Sequence, residues 1–154
     1  MTAIGFRIEP SAINWAIVEG SLEVPVLVAA DKSVAPTSYD EAAALAWFRD
    51  KVRQLIQTYS PGIAAVRFPE TFMRSAAQSS MYKRCRVEGT VIEAAHSCGI
   101  KVLTGALGTI SKHLGTKGAK KYLEHEDLRG LDWSKYQKNC REAILVAVSA
   151  LSEE

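Results

Sequence analysis

The stretch Ala3–Gly20 constrains the fold more than any other part of the chain. Ala3-Ile4-Gly5-Phe6-Arg7-Ile8-Glu9 is a short, mostly apolar run that ends on an acid, and Pro10-Ser11 follows. A second apolar run, Ala12 to Glu19, starts at once. Short runs of this kind suit β-strands, and the Pro-Ser joint between them reads as a tight hairpin. Such a hairpin holds one carboxylate, Glu9, at a strand end where a metal ion or a phosphate could reach it.

The rest of the chain supplies partners for that hairpin. Leu22 to Ala30 makes a third strand, with Pro25 placing it near a sheet edge. Ser33 to Ser38 is a polar connector, and Asp40 caps a helix whose Ala44, Leu45, Phe48, Val52, Leu55 and Ile56 recur at helical spacing. Tyr59-Ser60-Pro61-Gly62 ends that helix, and Ile63 to Phe68 is a fourth strand leading into Pro69-Glu70. A long helix from about Arg74 to Cys98 stops at Gly99, and Lys101-Val102-Leu103 is the fifth strand. Gly108 to Lys121 reads as a short helix and a glycine-containing basic loop, and Leu123 to Trp133 as charged and irregular. A helix from about Ser134 to Ser152 closes the chain. The order β-β-β-α-β-α-β-α-α predicts an α/β fold, a mixed five-stranded sheet with helices on both faces. No repeat or linker divides it, so residues 1–154 are expected to form a single domain.

Composition narrows the function classes. A hydrophobic share of 47% with 23% charged residues is that of an ordinary water-soluble domain, and no apolar run is long enough to span a bilayer. Cys85, Cys98 and Cys140 lack metal-ligand spacing, so free thiols and a cytoplasmic location are expected. A net charge of +2 does not by itself argue for nucleic acid. Its distribution does more, since Arg74, Lys83, Arg84 and Arg86 fall in one segment and Lys112, Lys117, Lys120 and Lys121 in another. Such clusters can contact phosphates, although solvated helix faces carry the same pattern. Glu88 can either point toward a site or pair with Arg84 one helical turn away.

Ile8-Glu9-Pro10-Ser11 and the strands around it resemble the first hairpin of the RNase H-like superfamily. The nearest branch is the RuvC-like one, that of Holliday junction resolvases, which reads roughly G-I-D-P-G-x-x-x-x-G-x-A-V. The chain is also similar to a small family of uncharacterised bacterial proteins of the same superfamily, whose first strand likewise ends in Glu. The RuvC-like resemblance implies a Mg²⁺- or Mn²⁺-dependent nuclease acting on branched or structured DNA, working as a homodimer. Its first Asp falls on Glu9, its strand-four Glu on Glu70 in Phe68-Pro69-Glu70-Thr71-Phe72, and its final pair on Asn139 and Glu142. Glu9, Glu70 and Glu142 would then be catalytic, and with Asn139 would hold two ions about 3.5–4 Å apart that stabilise attacking and leaving oxygens. The two basic segments would meet DNA. Two departures stand out: Glu9 is one methylene longer than Asp, and Asn139 is neutral. They leave a second implication open, a catalytically degenerate RNase H-fold protein that binds nucleic acid or a protein partner.

Overall fold

β1 (Thr2–Glu9) and β2 (Ala12–Gly20) form the expected hairpin in the computed structural model of the chain, which describes residues 1–69 and 78–153. β3 (Pro25–Val34) pairs antiparallel with β2. It starts at Pro25 rather than Leu22, because a turn closed by Ser21 N–H to the Val24 carbonyl occupies the residues before it. It then runs past Ala30 to Val34, since Asp31, Lys32 and Ser33 keep pairing with β2 and Ser33 Oγ accepts the Trp15 indole N–H at 3.1 Å.

α1 (Glu41–Tyr59) is capped by Asp40, whose carboxylate accepts the Ala43 N–H at 2.8 Å. β4 (Ile63–Arg67) lies parallel to β1; α2 (Gln78–Ser97) and β5 (Lys101–Gly105), parallel to β4, follow. The sheet order is β3-β2-β1-β4-β5. α3 (Leu107–His113) leads to a 3₁₀ turn at Ala119–Glu124. Where an irregular charged stretch was expected, β6 (Asp127–Leu128) and β7 (Leu131–Asp132) make a small hairpin. α4 (Lys138–Ala150) begins at Lys138 rather than Ser134, because the Arg141 guanidinium donates to the carbonyls of Leu123, His125, Ser134 and Tyr136 and holds the preceding turn. Among the described residues no helix is long and apolar enough to cross a membrane.

Strand alternation divides the core into two layers. Ile4, Phe6, Ile8, Ile13, Trp15, Ile17, Ala64 and Val66 pack against α1 and α2. Ala3, Ala16, Val18, Ile63 and Ala65 face the other way, against α3 and α4. Gly5 belongs to this second face, and α4 lies directly on it. A Cβ there would collide with the Ala143 carbonyl oxygen and come within 2.6 Å of the Ala147 nitrogen. That close approach sets α4 across the middle of β1.

Candidate functional site

At the C-terminal ends of β1 and β4, the end where open α/β sheets gather ligands, one transverse row of the sheet turns polar. Register pairs Lys32 with Asn14, Asn14 with Arg7, and Arg7 with Arg67. The row belongs to the same face as Gly5, so it meets α4. Just past its first turn, α4 presents Glu142, only 4% exposed. Arg7 Nε donates to Glu142 Oε2 at 2.7 Å, and Arg67 Nε lies 3.6 Å from the same oxygen. The two guanidinium groups also tie down strand ends, Arg7 donating to the Ile8 carbonyl and Arg67 to the Phe68 carbonyl. Cationic partners of this kind offset the cost of burying a carboxylate so deeply.

Glu9 sits beside the row and is also occupied. It accepts the Asn14 Nδ2–H at 2.7 Å, and Lys32 Nζ is 3.1 Å from Glu9 Oε2. Burial pushes the Glu9 carboxyl up, but hydrogen bonds from Asn14, Lys32 and Asn139 and the Lys32 charge outweigh it and hold the pKa below the ordinary value. A depressed carboxyl pKa contributes stability that is present above the unfolded-state value, near 4.3 on reference scales. It is lost as pH falls through the lower folded value. Glu9→Gln is therefore expected to be less stable than the wild type at pH 7. The gap between them should close as pH falls below about 4 in urea melts followed by circular dichroism. A gap that persists unchanged at pH 3 would show that the loss is not linked to this carboxyl's charge.

Arg84 and Glu88 pair across one turn of α2, Nε to Oε1 at 3.1 Å, and both are largely buried. Burial drives the Glu88 pKa up, while Arg84, Arg7 and Arg67 pull it back. Burial lowers Arg84, and the charges of Arg7 and Arg67 lower it further against the pull of Glu88. Arg84 is thus an interior partner of Glu88, coupled to the row, rather than the surface DNA contact expected of it.

The other expected cations sit outside. Lys83 donates to Ser11 Oγ at 3.0 Å, and Arg86 pairs with Glu41 at 2.7 Å. Lys112, Lys117, Lys120 and Lys121 are exposed on α3 and in the segment that follows it. Glu70 and Arg74 lie outside the described residues.

These contacts do not fit the Mg²⁺ or Mn²⁺ ligand set implied for Glu9, Asn139 and Glu142. Hard divalent ions need several oxygen ligands around one point. Here Glu142 is bonded to Arg7 and faced by Arg67, Glu9 is bonded to Lys32 and Asn14, and Asn139 brings no charge. Among the described residues no group of three His, Cys, Asp or Glu side chains could hold a metal ion. The residues that shape the site instead are Arg7, Arg67, Asn14, Lys32 and Lys138. The signal for the first two was in the sequence: one arginine inside or at the end of each of the apolar runs Ala3–Ile8 and Ile63–Phe68. Arg7, Arg67, Asn139 and Glu142, with Lys120 and Lys138 at the mouth, line a cavity of about 450 Å³.

No protein-family model and no curated protein sequence matches the chain. Solved structures do. RuvC from T. thermophilus, in complex with a Holliday junction substrate, superposes with a TM-score of 0.80 at 14% identity, covering 99% of this chain and 95% of that one. The yeast mitochondrial Holliday junction resolvase gives 0.62 at 7% identity, over 97% of this chain and 78% of that one. The fowlpox virus Holliday junction resolvase gives 0.57 at 13% identity, with both chains covered in full. Sheet order, helix placement and these superpositions agree: the chain has the RuvC-like form of the RNase H-like fold.

Proposed function

We propose that this chain binds branched or structured DNA on a RuvC-like fold without hydrolysing it by a two-metal mechanism. The observation that carries the proposal is the pairing of Glu142 with Arg7 and Arg67. A cation bonded to the carboxylate that would ligate a metal both occupies its lone pairs and repels a divalent ion. The DNA part is supported by the likeness to a resolvase bound to a four-way junction and by the exposed lysines Lys112, Lys117, Lys120 and Lys121. Phosphate contacts by such side chains release counterions and make affinity fall steeply with salt. The two-metal reading keeps one support: Asn139, at the start of α4, lies close enough to Glu9 at the end of β1 to help lower its pKa.

The test is a fluorescently labelled four-way junction titrated with the protein in EDTA, then supplied with Mg²⁺ or Mn²⁺. Binding without metal is expected. If about four phosphates are neutralised, affinity should fall by about a hundredfold between roughly 50 and 200 mM salt. No cleavage product should appear when metal is added. Metal-dependent cleavage that disappears in Glu9→Gln would sink the non-hydrolytic part. Absence of binding, or binding indifferent to salt, would sink the DNA part. Sedimentation of the complex also tests the homodimer, which would place two such faces on the junction.

A further inference from the structure

The cavity beneath α4 has a charge opposite to that of a metal site. Among the described residues, Arg7, Arg67, Lys120 and Lys138 line it with a single carboxylate, Glu142. Arg67 forms part of its buried floor, its side chain 7% exposed, while Lys120 and Lys138 stand exposed at the rim. Leu107, Gly108, Ser111, Gly118 and Ala119 make much of the remaining wall. A volume of about 450 Å³ is ample for a phosphate with part of the sugar that carries it.

The helix above points the same way. α4 begins at Lys138, its cap residue Gln137 makes no side-chain cap hydrogen bond, and its first turn holds no acid. Helix N-termini carry a partial positive charge that ordinarily favours acids. A lysine there, over two arginines, leaves a concentration of positive charge whose natural complement is an anion.

We propose that this cavity binds a phosphate group directly, with Arg7, Arg67, Lys120 and Lys138 replacing the divalent ions that a carboxylate site would use. The guanidinium groups supply fixed positive charge that favours phosphate oxygens, and the lysines add point charges at the entrance. Asn139, also in the lining, supplies a neutral amide donor. The phosphate comes either from a nucleic-acid strand or from a free phosphorylated ligand. The first source rests on the DNA-binding function proposed above; the second does not.

The experiment uses the full chain with pyrophosphate, by calorimetry and thermal shift in EDTA, and a labelled four-way junction, by fluorescence anisotropy. Lys138→Glu and Lys120→Glu change exposed side chains, so folding is expected to survive and is checked by circular dichroism. Arg53→Glu, at an exposed position of α1, is the control. Pyrophosphate is expected to bind saturably to the wild type and to Arg53→Glu. Each lysine variant should weaken it by at least about tenfold, as loss of a charge-assisted contact implies.

If junction binding weakens in parallel, the phosphate belongs to the strand. If pyrophosphate binding is lost and junction binding is unchanged, the cavity holds a free phosphorylated ligand, and DNA binds elsewhere. Wild-type protein that binds the junction but not pyrophosphate would overturn the cavity and leave DNA binding standing. Pyrophosphate binding that appears only with Mg²⁺ would overturn direct recognition.

Discussion

Gly5→Ala is expected to unfold this protein at a temperature roughly 10 °C lower than the wild type. The added methyl would point straight at the backbone of α4, toward the Ala143 carbonyl oxygen and within 2.7 Å of the Ala147 Cβ. Overpacking against a movable side chain costs about 1–3 kcal/mol, and against helix backbone the upper end or more applies. For a domain of this size each kcal/mol moves the melting temperature by about 2–4 °C. The strain is relieved by lifting α4 off β1, and Glu142 moves with it, away from Arg7. Calorimetric melting should therefore show the loss, and pyrophosphate affinity should change with it. A melting temperature within about 2 °C of wild type would mean that α4 does not rest on β1 as closely as the structure places it.

Much of the fold was legible because its elements are locally marked. Pro10-Ser11 between two apolar runs gave the first hairpin, Asp40 gave the start of α1, and Gly99 the stop of α2. The boundaries that shifted are set by contacts remote in sequence. β3 reaches Val34 because Lys32 finds Asn14 across the sheet, and α4 starts late because Arg141 gathers carbonyls from as far as Leu123. The small β6–β7 hairpin turns on Arg129 at φ 54° and Gly130 at φ 84°, with Arg129 also donating to the Leu22 and Leu114 carbonyls.

The site was less legible, for a related reason. The resemblance directed attention to acids at strand and helix ends, and two of those, Glu9 and Glu142, do lie at the C-terminal edge of the sheet. What decides their chemistry is which cation each one faces. Arg7 and Arg67 are sixty residues apart and become neighbours only through the parallel pairing of β1 with β4. Lys32 reaches Glu9 only because β3 extends beyond its apolar part. Side-chain alternation says that Arg7 shares a face with Gly5 and Glu9; it does not say that Glu142 waits opposite. The pairing of Arg84 with Glu88, one helical turn apart, was visible from spacing alone.

Glu142→Ala is expected to cost about 3–5 kcal/mol in urea unfolding, because it removes the buried carboxylate that Arg7 and Arg67 both face. The sign separates the two views of this site. Carboxylates gathered for divalent ions repel one another in the apoprotein, so removing one relieves that repulsion and raises stability in EDTA. A carboxylate held by arginine does the opposite. The double change Arg7→Leu with Glu142→Leu removes both charges at once and should be less damaging than the sum of the single changes, with a coupling above about 1 kcal/mol. Glu142→Ala that equals or exceeds wild-type stability in EDTA would overturn the ion-pair account. The same variant also probes the cavity, since deleting Glu142 leaves only cationic and neutral side chains among the described residues that line it. Pyrophosphate should then bind the variant more tightly than the wild type. By binding only the folded state it should recover part of the lost stability, in proportion to the logarithm of its concentration above the dissociation constant. Rescue of this kind needs an anion where Glu142 had been, and Mg²⁺ added alone should give none.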